Sequence, residues 1–391
     1  MSPEDSRNIA PVRATFPLSY DTRGCFARAR SIFSIPVSQT HFPIANDPPA
    51  AMSSPASPPS PAALRQIPIV CPGHSRPLAE LHYSRSNLLI SACHDKLPML
   101  RHGASGDWIG TFEGHKGAVW SAKLDREAEF AATGSADFSA KIWDALTGDV
   151  VATLEHKHVV KSVAFSADGA RLLTAGHEKL LRVFDVLGVK EQLQTYKAEG
   201  RTGIVVLPPP PMAEMRTAQQ IRKVVVLSDR LAATGEVDGT VTIWNLDTYT
   251  QQRQLKVDAD VMDMEASRDG QVLTVAAGKQ VYFYDVSKDF ALLHAFPMPI
   301  SFAEEGGASL HPTENKFVAG GSDTWVRVFD FGTGKLLETH KGHHGPVRCL
   351  RYSPSGDSFA TGSEDGTVRI WQNDSKSAAA TSVADTAASS T

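Results

Sequence analysis

Residues 341–372 read KGHHGPVRCLRYSPSGDSFATGSEDGTVRIWQ. Gly342 and His343 open the stretch, two runs of strand length follow, and Trp371 stands near its end. Between the second run and the Trp lies an Asp-Gly pair, Asp365 and Gly366. Glycine tolerates the positive φ of a tight turn between strands, so the stretch reads as consecutive antiparallel strands. A cruder copy of it recurs six more times upstream.

Taking Trp371 as the anchor of the unit, the matching positions are Arg101, Trp143, Phe184, Trp244, Tyr284 and Phe329. The intervals along the chain are 42, 41, 60, 40, 45 and 42 residues. A period near 41 with four strands per unit predicts an all-β propeller of four-stranded blades. Seven anchors predict seven blades. The interval of 60 points to an insert at 204–220, which carries Pro208, Pro209, Pro210 and Pro211. Prolines donate no ladder hydrogen bonds and hold the chain extended. The expectation is a surface loop in the fourth repeat: a tolerated insertion or a docking loop for a proline-recognising module. The interval of 45 has a smaller excess, assigned to the EEGG stretch at 304–307.

The ends of the chain have a different composition. Residues 1–63 hold 11 of the 24 prolines and no lysine. Such a segment buries too little apolar surface to offset its ordering entropy, and it reads as a disordered extension. Its arginines faintly resemble a transit peptide, but Pro11, Pro17 and Pro36 interrupt any amphipathic helix. Met52 offers a second start close to where the strand pattern begins. The propeller is expected over 64–373, and the Ala/Ser/Thr-rich residues 374–391 as a disordered tail. Each repeat begins with a strand just before its Gly-His pair. Before Gly73 and His74 that place is taken by RQIPIVC, residues 65–71. This strand is expected to complete the outer edge of the last blade, where Pro68 is tolerable.

The whole chain has 391 residues, with 42% hydrophobic and 21% charged, and a net charge of −4. That balance argues against a protein coated in basic surface for nucleic acid. Cys25, Cys71, Cys93 and Cys349 are far apart, so neither a disulfide framework nor a zinc site is suggested. Cytosol and nucleus fit this cysteine usage. No apolar run approaches the length of a spanning helix.

In the second repeat His115, Thr133, Asp137 and Trp143 keep the spacings that His343, Thr361, Asp365 and Trp371 keep in the seventh. These units resemble WD-repeat propellers, in which such residues form one hydrogen-bonded chain. The resemblance implies that Asp accepts from His, that Thr holds His, and that Thr receives the Trp indole. A His, an Asp and a hydroxyl also suggest a nucleophilic triad. The set occurs twice with the same spacing, and partly again at His74, Ser91 and Asp95. An active site is built once, whereas a scaffold bond is repeated, so the reading is structural. Other repeats are degraded: Glu178 stands for Asp in the third and Gly278 in the fifth. Blades two and seven are expected to be the best locked, and blade five the loosest.

The stretches GDWIGTFEGHKGAVW (106–120), ADFSAKIWDALTGD (136–149), EHKHVVKSV (155–163) and EKLLRVFD (178–185) are more specific. They resemble the family of serine-threonine kinase receptor-associated proteins, as do SACHDKLPMLRHG (91–103) and the seventh repeat. The resemblance covers about residues 64–372 and leaves out the N-terminal extension, the proline insert and the short tail. It implies a non-enzymatic adaptor of the survival-of-motor-neuron complex, which loads Sm proteins on spliceosomal RNA. It also implies a link to receptor-kinase signalling. Partners would then be Sm- and Gemin-type proteins, with RNA touched at most indirectly, and with no membrane, small-molecule substrate or cofactor. The i subunit of eukaryotic translation initiation factor three and a generic G-protein-β-like scaffold are the alternatives. No phosphate loop, nucleophile elbow or metal cluster supports an enzyme.

Propellers bind partners mainly where their inner strands start and the turns between second and third strands emerge. Five residues beyond each repeat's His stand Trp120, Lys161 and Arg348; just before the acid of that turn stand His94, His177 and Glu364. Exposed Trp and Arg are common interface anchors, so these six are the candidate partner contacts.

Overall fold

The computed structural model describes residues 67–200, 205–302 and 306–373. The expectations for 1–63 and 374–391 lie outside the described residues. Seven four-stranded antiparallel sheets follow one another as blades of a propeller. Successive inner strands are Leu78–Tyr83, Val119–Leu124, Val160–Phe165, Ile221–Ser228, Val261–Ala266, Gly307–Leu310 and Val347–Tyr352. Each blade then runs outward through a second and third strand to an outer fourth, with apolar layers between neighbouring blades. Trp143, for example, packs with Ile90, Leu100 and Leu124 between the first two blades. Two-sided burial explains why the inner and middle strands carry few exposed residues, whereas outer strands such as Thr250–Lys256 are mostly exposed.

The last blade takes its outer strand from the start of the described chain. Ile69–Cys71 pairs antiparallel with Val368–Gln372, Ile69 opposite Ile370 and Cys71 opposite Val368. Arg101 supports the closure. It occupies the anchor place of blade one, is almost fully buried, and donates to the carbonyls of Pro72 and, at 3.1 Å, of Gly106. The guanidinium bonds two carbonyls at once, one of them next to the closing strand, where an indole has a single donor.

The long interval is resolved differently from the expectation of a loop at 204–220. The added residues lie between the third strand of blade three, Leu180–Asp185, and its outer strand, Ala213–Arg216. They begin with the helix Leu187–Ala198, which buries Val189 and Leu193 against blade two. Asp185 accepts from the Gly188 amide at 3.1 Å, while Lys190 and Lys197 reach Asp125 and Asp144 of blade two at 2.9 and 2.7 Å. The chain then returns past the outer edge of blade two, where the Val206 amide donates to Val151 at 2.7 Å. Prolines interrupt pairing only where they stand. Beyond them Ala213–Arg216 has free amides and a buried Met215 opposite Leu181, so it forms a strand. Of the EEGG stretch, Gly307 begins the inner strand of blade six.

Candidate partner-binding face

The repeated polar residues are joined within their blades. In blade two His115 Nδ1 is 2.8 Å from Asp137, its Nε2 is 2.7 Å from Thr133, and the Trp143 indole donates to Thr133 at 2.8 Å. In blade seven the same three distances, for His343, Asp365, Thr361 and Trp371, are 3.1, 2.7 and 2.9 Å. Blade one keeps His74 between Asp95 and Ser91 at 2.8 Å each. Cys93 lies close enough to make His74, Cys93 and Asp95 a conceivable metal trio. Both imidazole nitrogens are already engaged, however, so the geometry is that of a blade lock. Blade three joins His156 to Thr174 at 2.8 Å, but the His156 Nδ1 lies 3.0 Å from the Leu154 carbonyl, and Glu178 keeps only the turn contacts of the Asp, accepting from the His158 amide at 3.1 Å. Blade four has no His, but Trp244 donates to Thr234 at 2.9 Å.

Blade five departs furthest. Its turn between second and third strands is one residue shorter than that of blade two, with strands at Val272–Ala277 and Gln280–Asp285. Thr274 therefore pairs with Phe283 and faces away from Tyr284, whereas Thr133 shares a face with Trp143. The buried Thr274 hydroxyl is left without a partner.

The six candidate contacts gather on one side of the propeller. The inner strands of six blades carry a register shift at their second residue. The residues at the shift are Ala79, Trp120, Lys161, Arg222, Met262 and Arg348. A bulge re-aims a side chain out of the ladder, and all six line one mouth of the central channel. Lys161 sets its ammonium 2.8 Å from the centre of the half-buried Trp120 ring, and His94 meets the same ring edge-on at 4.3 Å. An ammonium over an indole face is attracted by the ring quadrupole. Arg348 approaches Glu364 at 3.8 Å. The His177 ring packs at 5.0 Å against that of His158, tilted by 51°, and its pKa is lowered by burial and by the charges of Lys161, His158 and Arg222. The mouth is thus cationic around an aromatic centre. Arg222 is a member that counting from Gly-His pairs missed, because blade four lacks that pair; its place as second residue of a strand at 221–228 was the available signal.

Below this mouth a buried ionic network fills the channel. Glu80 of blade one meets Lys123 of blade two and Lys223 of blade four at 3.0 Å each. Arg351 of blade seven grips both oxygens of Asp263 of blade five at 2.7 and 2.8 Å. A Cβ at residue 307 would collide with the Asp263 carboxylate, so Gly307 makes room for this pair. Burial alone would raise the Glu80 pKa, but Lys123, Lys223 and the Ser121 hydroxyl hold it far below the carboxylate range. Burial pushes Glu265, 3.6 Å from Arg351, up to about 7. Beyond the network the opposite mouth opens as a cavity of about 320 Å3 that includes His82, Arg85, Lys123 and Arg268.

The arrangement offers a rigid rim for contacts. Comparison with known proteins agrees on the kind of molecule. The family model for the WD domain, G-beta repeat, matches residues 106–144, 148–185 and 334–372. The serine-threonine kinase receptor-associated protein of Dictyostelium discoideum is 42% identical, over 78% of this chain and 98% of its own length. Those of Gallus gallus and Homo sapiens are 42% and 41% identical, over 79% of this chain and 83% of theirs. The subunit I of eukaryotic translation initiation factor 3 from Culex quinquefasciatus is more distant, 27% identical over 78% of this chain and 95% of its own. A WD-repeat propeller with this degree of identity across its whole ring belongs to the family of serine-threonine kinase receptor-associated proteins.

Proposed function

We propose that this chain is a non-enzymatic adaptor that holds proteins of a multi-subunit assembly on the mouth formed by Trp120, Lys161, Arg222 and Arg348. The observation that carries the reading is the set of bulged residues. Six blades each turn one side chain onto the same rim, and four of these are an indole or a cation. Trp and Arg concentrate binding energy at interfaces. His94, His177 and Glu364 complete the contact surface.

The assembly we propose is the survival-of-motor-neuron complex, with Sm- and Gemin-type proteins as partners in spliceosomal ribonucleoprotein assembly. RNA is then reached only through those partners, and the adaptor works in both cytoplasm and nucleus. A second reading rests on the relatives' name, which states association with a serine-threonine kinase receptor. Affinity purification of the full chain followed by mass spectrometry separates these. Recovery of Sm and Gemin-type proteins is the expected result. Receptor kinases in their place favour the second reading, and initiation-factor subunits overturn both.

A further inference from the structure

The run Leu207, Pro208, Pro209, Pro210, Pro211 is held on the rim of blades two and three in a conformation the sequence dictates. Four rings fix φ near −65°, and each of Leu207, Pro208, Pro209 and Pro210 precedes a proline, which removes the helical region for it. The segment is therefore confined to the extended left-handed helix of three residues per turn. Its exposure follows that period. Val206 is fully buried and Pro209, three residues on, is half-buried, so one ridge faces the propeller. The other two ridges, Leu207 with Pro210 and Pro208 with Pro211, are exposed, Leu207 by 81%. Both ends are tied: the Val206 amide donates to Val151 and the Met212 amide to Val183, each at 2.7 Å.

We propose that this run is a binding site for a proline-recognition domain of the EVH1 type, which takes an extended proline helix in an aromatic-lined groove. Such grooves grip two adjacent ridges, and two are presented here along a span of about 12 Å. The segment is already ordered, so little conformational entropy is lost on docking. The flanks select the occupant. An exposed aliphatic residue leads directly into four prolines, as an apolar groove floor demands. No Lys or Arg occurs between Val205 and Met215 to answer the acidic groove that reads cation-flanked ligands, and no Tyr is present for a domain that reads Pro-Tyr. The site is separate from the channel mouth and does not depend on it.

The test is titration of the full chain, by fluorescence anisotropy, against labelled EVH1, SH3 and WW domains purified singly. Binding by the EVH1 domain is expected. Pro208→Ala with Pro211→Ala, both on outward ridges, weakens it by at least about tenfold while leaving the melting temperature unchanged. Pro209→Ala, on the inward ridge, weakens it less. Binding by SH3 or WW domains in preference to EVH1 overturns the choice of occupant. No binding by any domain, or binding that survives the double substitution, overturns the site.

Discussion

Glu80 and Lys223 meet at 3.0 Å across the channel, although blades one and four do not adjoin and the residues are far apart in the chain. The pair belongs to a network that reaches five of the seven blades through Lys123, Asp263 and Arg351. Breaking a buried pair by removing one partner strands the other charge, which costs about 3–5 kcal/mol. Glu80→Gln is expected to destabilise the propeller by that amount at pH 7, measured by urea denaturation. Because the folded carboxyl titrates below its unfolded value of about 4.3, its contribution is complete above that pH and is lost as pH falls through the folded value. The variant should therefore show a weaker dependence of stability on acid than the parent.

Glu265 runs the other way. Its folded pKa, about 7, lies above the unfolded value of about 4.3. The stability that its protonated form contributes is present below pH 4.3 and is lost as pH rises through 7. Glu265→Gln is expected to flatten the fall in melting temperature between about pH 5 and 8, read by calorimetry at those two pH values.

The blade locks predict a contrast between two threonines. Thr133→Val leaves the Trp143 indole and His115 Nε2 without their shared partner, at a cost of about 1–3 kcal/mol for each group left unpaired. Thr274→Val removes a hydroxyl that has no partner and is expected to be neutral or stabilising. Denaturation midpoints of the two variants decide this; equal losses would contradict the difference between the blades.

The closing strand predicts a sharp boundary. Deleting residues 1–60 leaves Ile69–Cys71 in place and should preserve the fold, whereas deleting 1–71 exposes the outer edge of Val368–Gln372 and removes the Pro72 neighbour held by Arg101. Equal melting temperatures for the two truncations would refute this.

For the channel mouth, Lys161→Glu with Arg222→Glu should abolish partner capture while the fold persists, since both lie at the rim. Trp120→Ala with Arg348→Ala should weaken capture as well, and unchanged pull-down by either pair counts against this face. Trp120 is half-buried beneath Lys161, so its loss also lowers stability somewhat.

What was legible in the sequence is what repeats. The blade number, the locks around His115 and His343, and the rim places of Trp120, Lys161 and Arg348 all follow from counting, because each blade restates the same offsets. The channel network was not legible. Glu80, Lys123, Lys223, Asp263 and Arg351 do not stand at one common offset from blade to blade, and only ring closure brings them together. Blade five is expected from the sequence to be the loosest because Gly278 replaces the acid; the opposite facing of Thr274, which keeps the usual ten-residue offset from Tyr284, comes from the shortened turn and was not legible. The insert was not legible because Ala213–Arg216 stands beyond the proline run, while its pairing partner Leu180–Asp185 lies before the helix.

The strand Ile69–Cys71 also sets a timetable. It leaves the ribosome before any other described strand, yet its partner Val368–Gln372 is made last. At about 5–20 residues per second the interval is roughly 15–60 s. Throughout it the nascent chain carries an unpaired apolar strand beside an open face of blade one, the kind of exposed edge that invites wrong pairing. Completion of the ring therefore waits for the last of the described strands, and until then the closing edge of the propeller stands open.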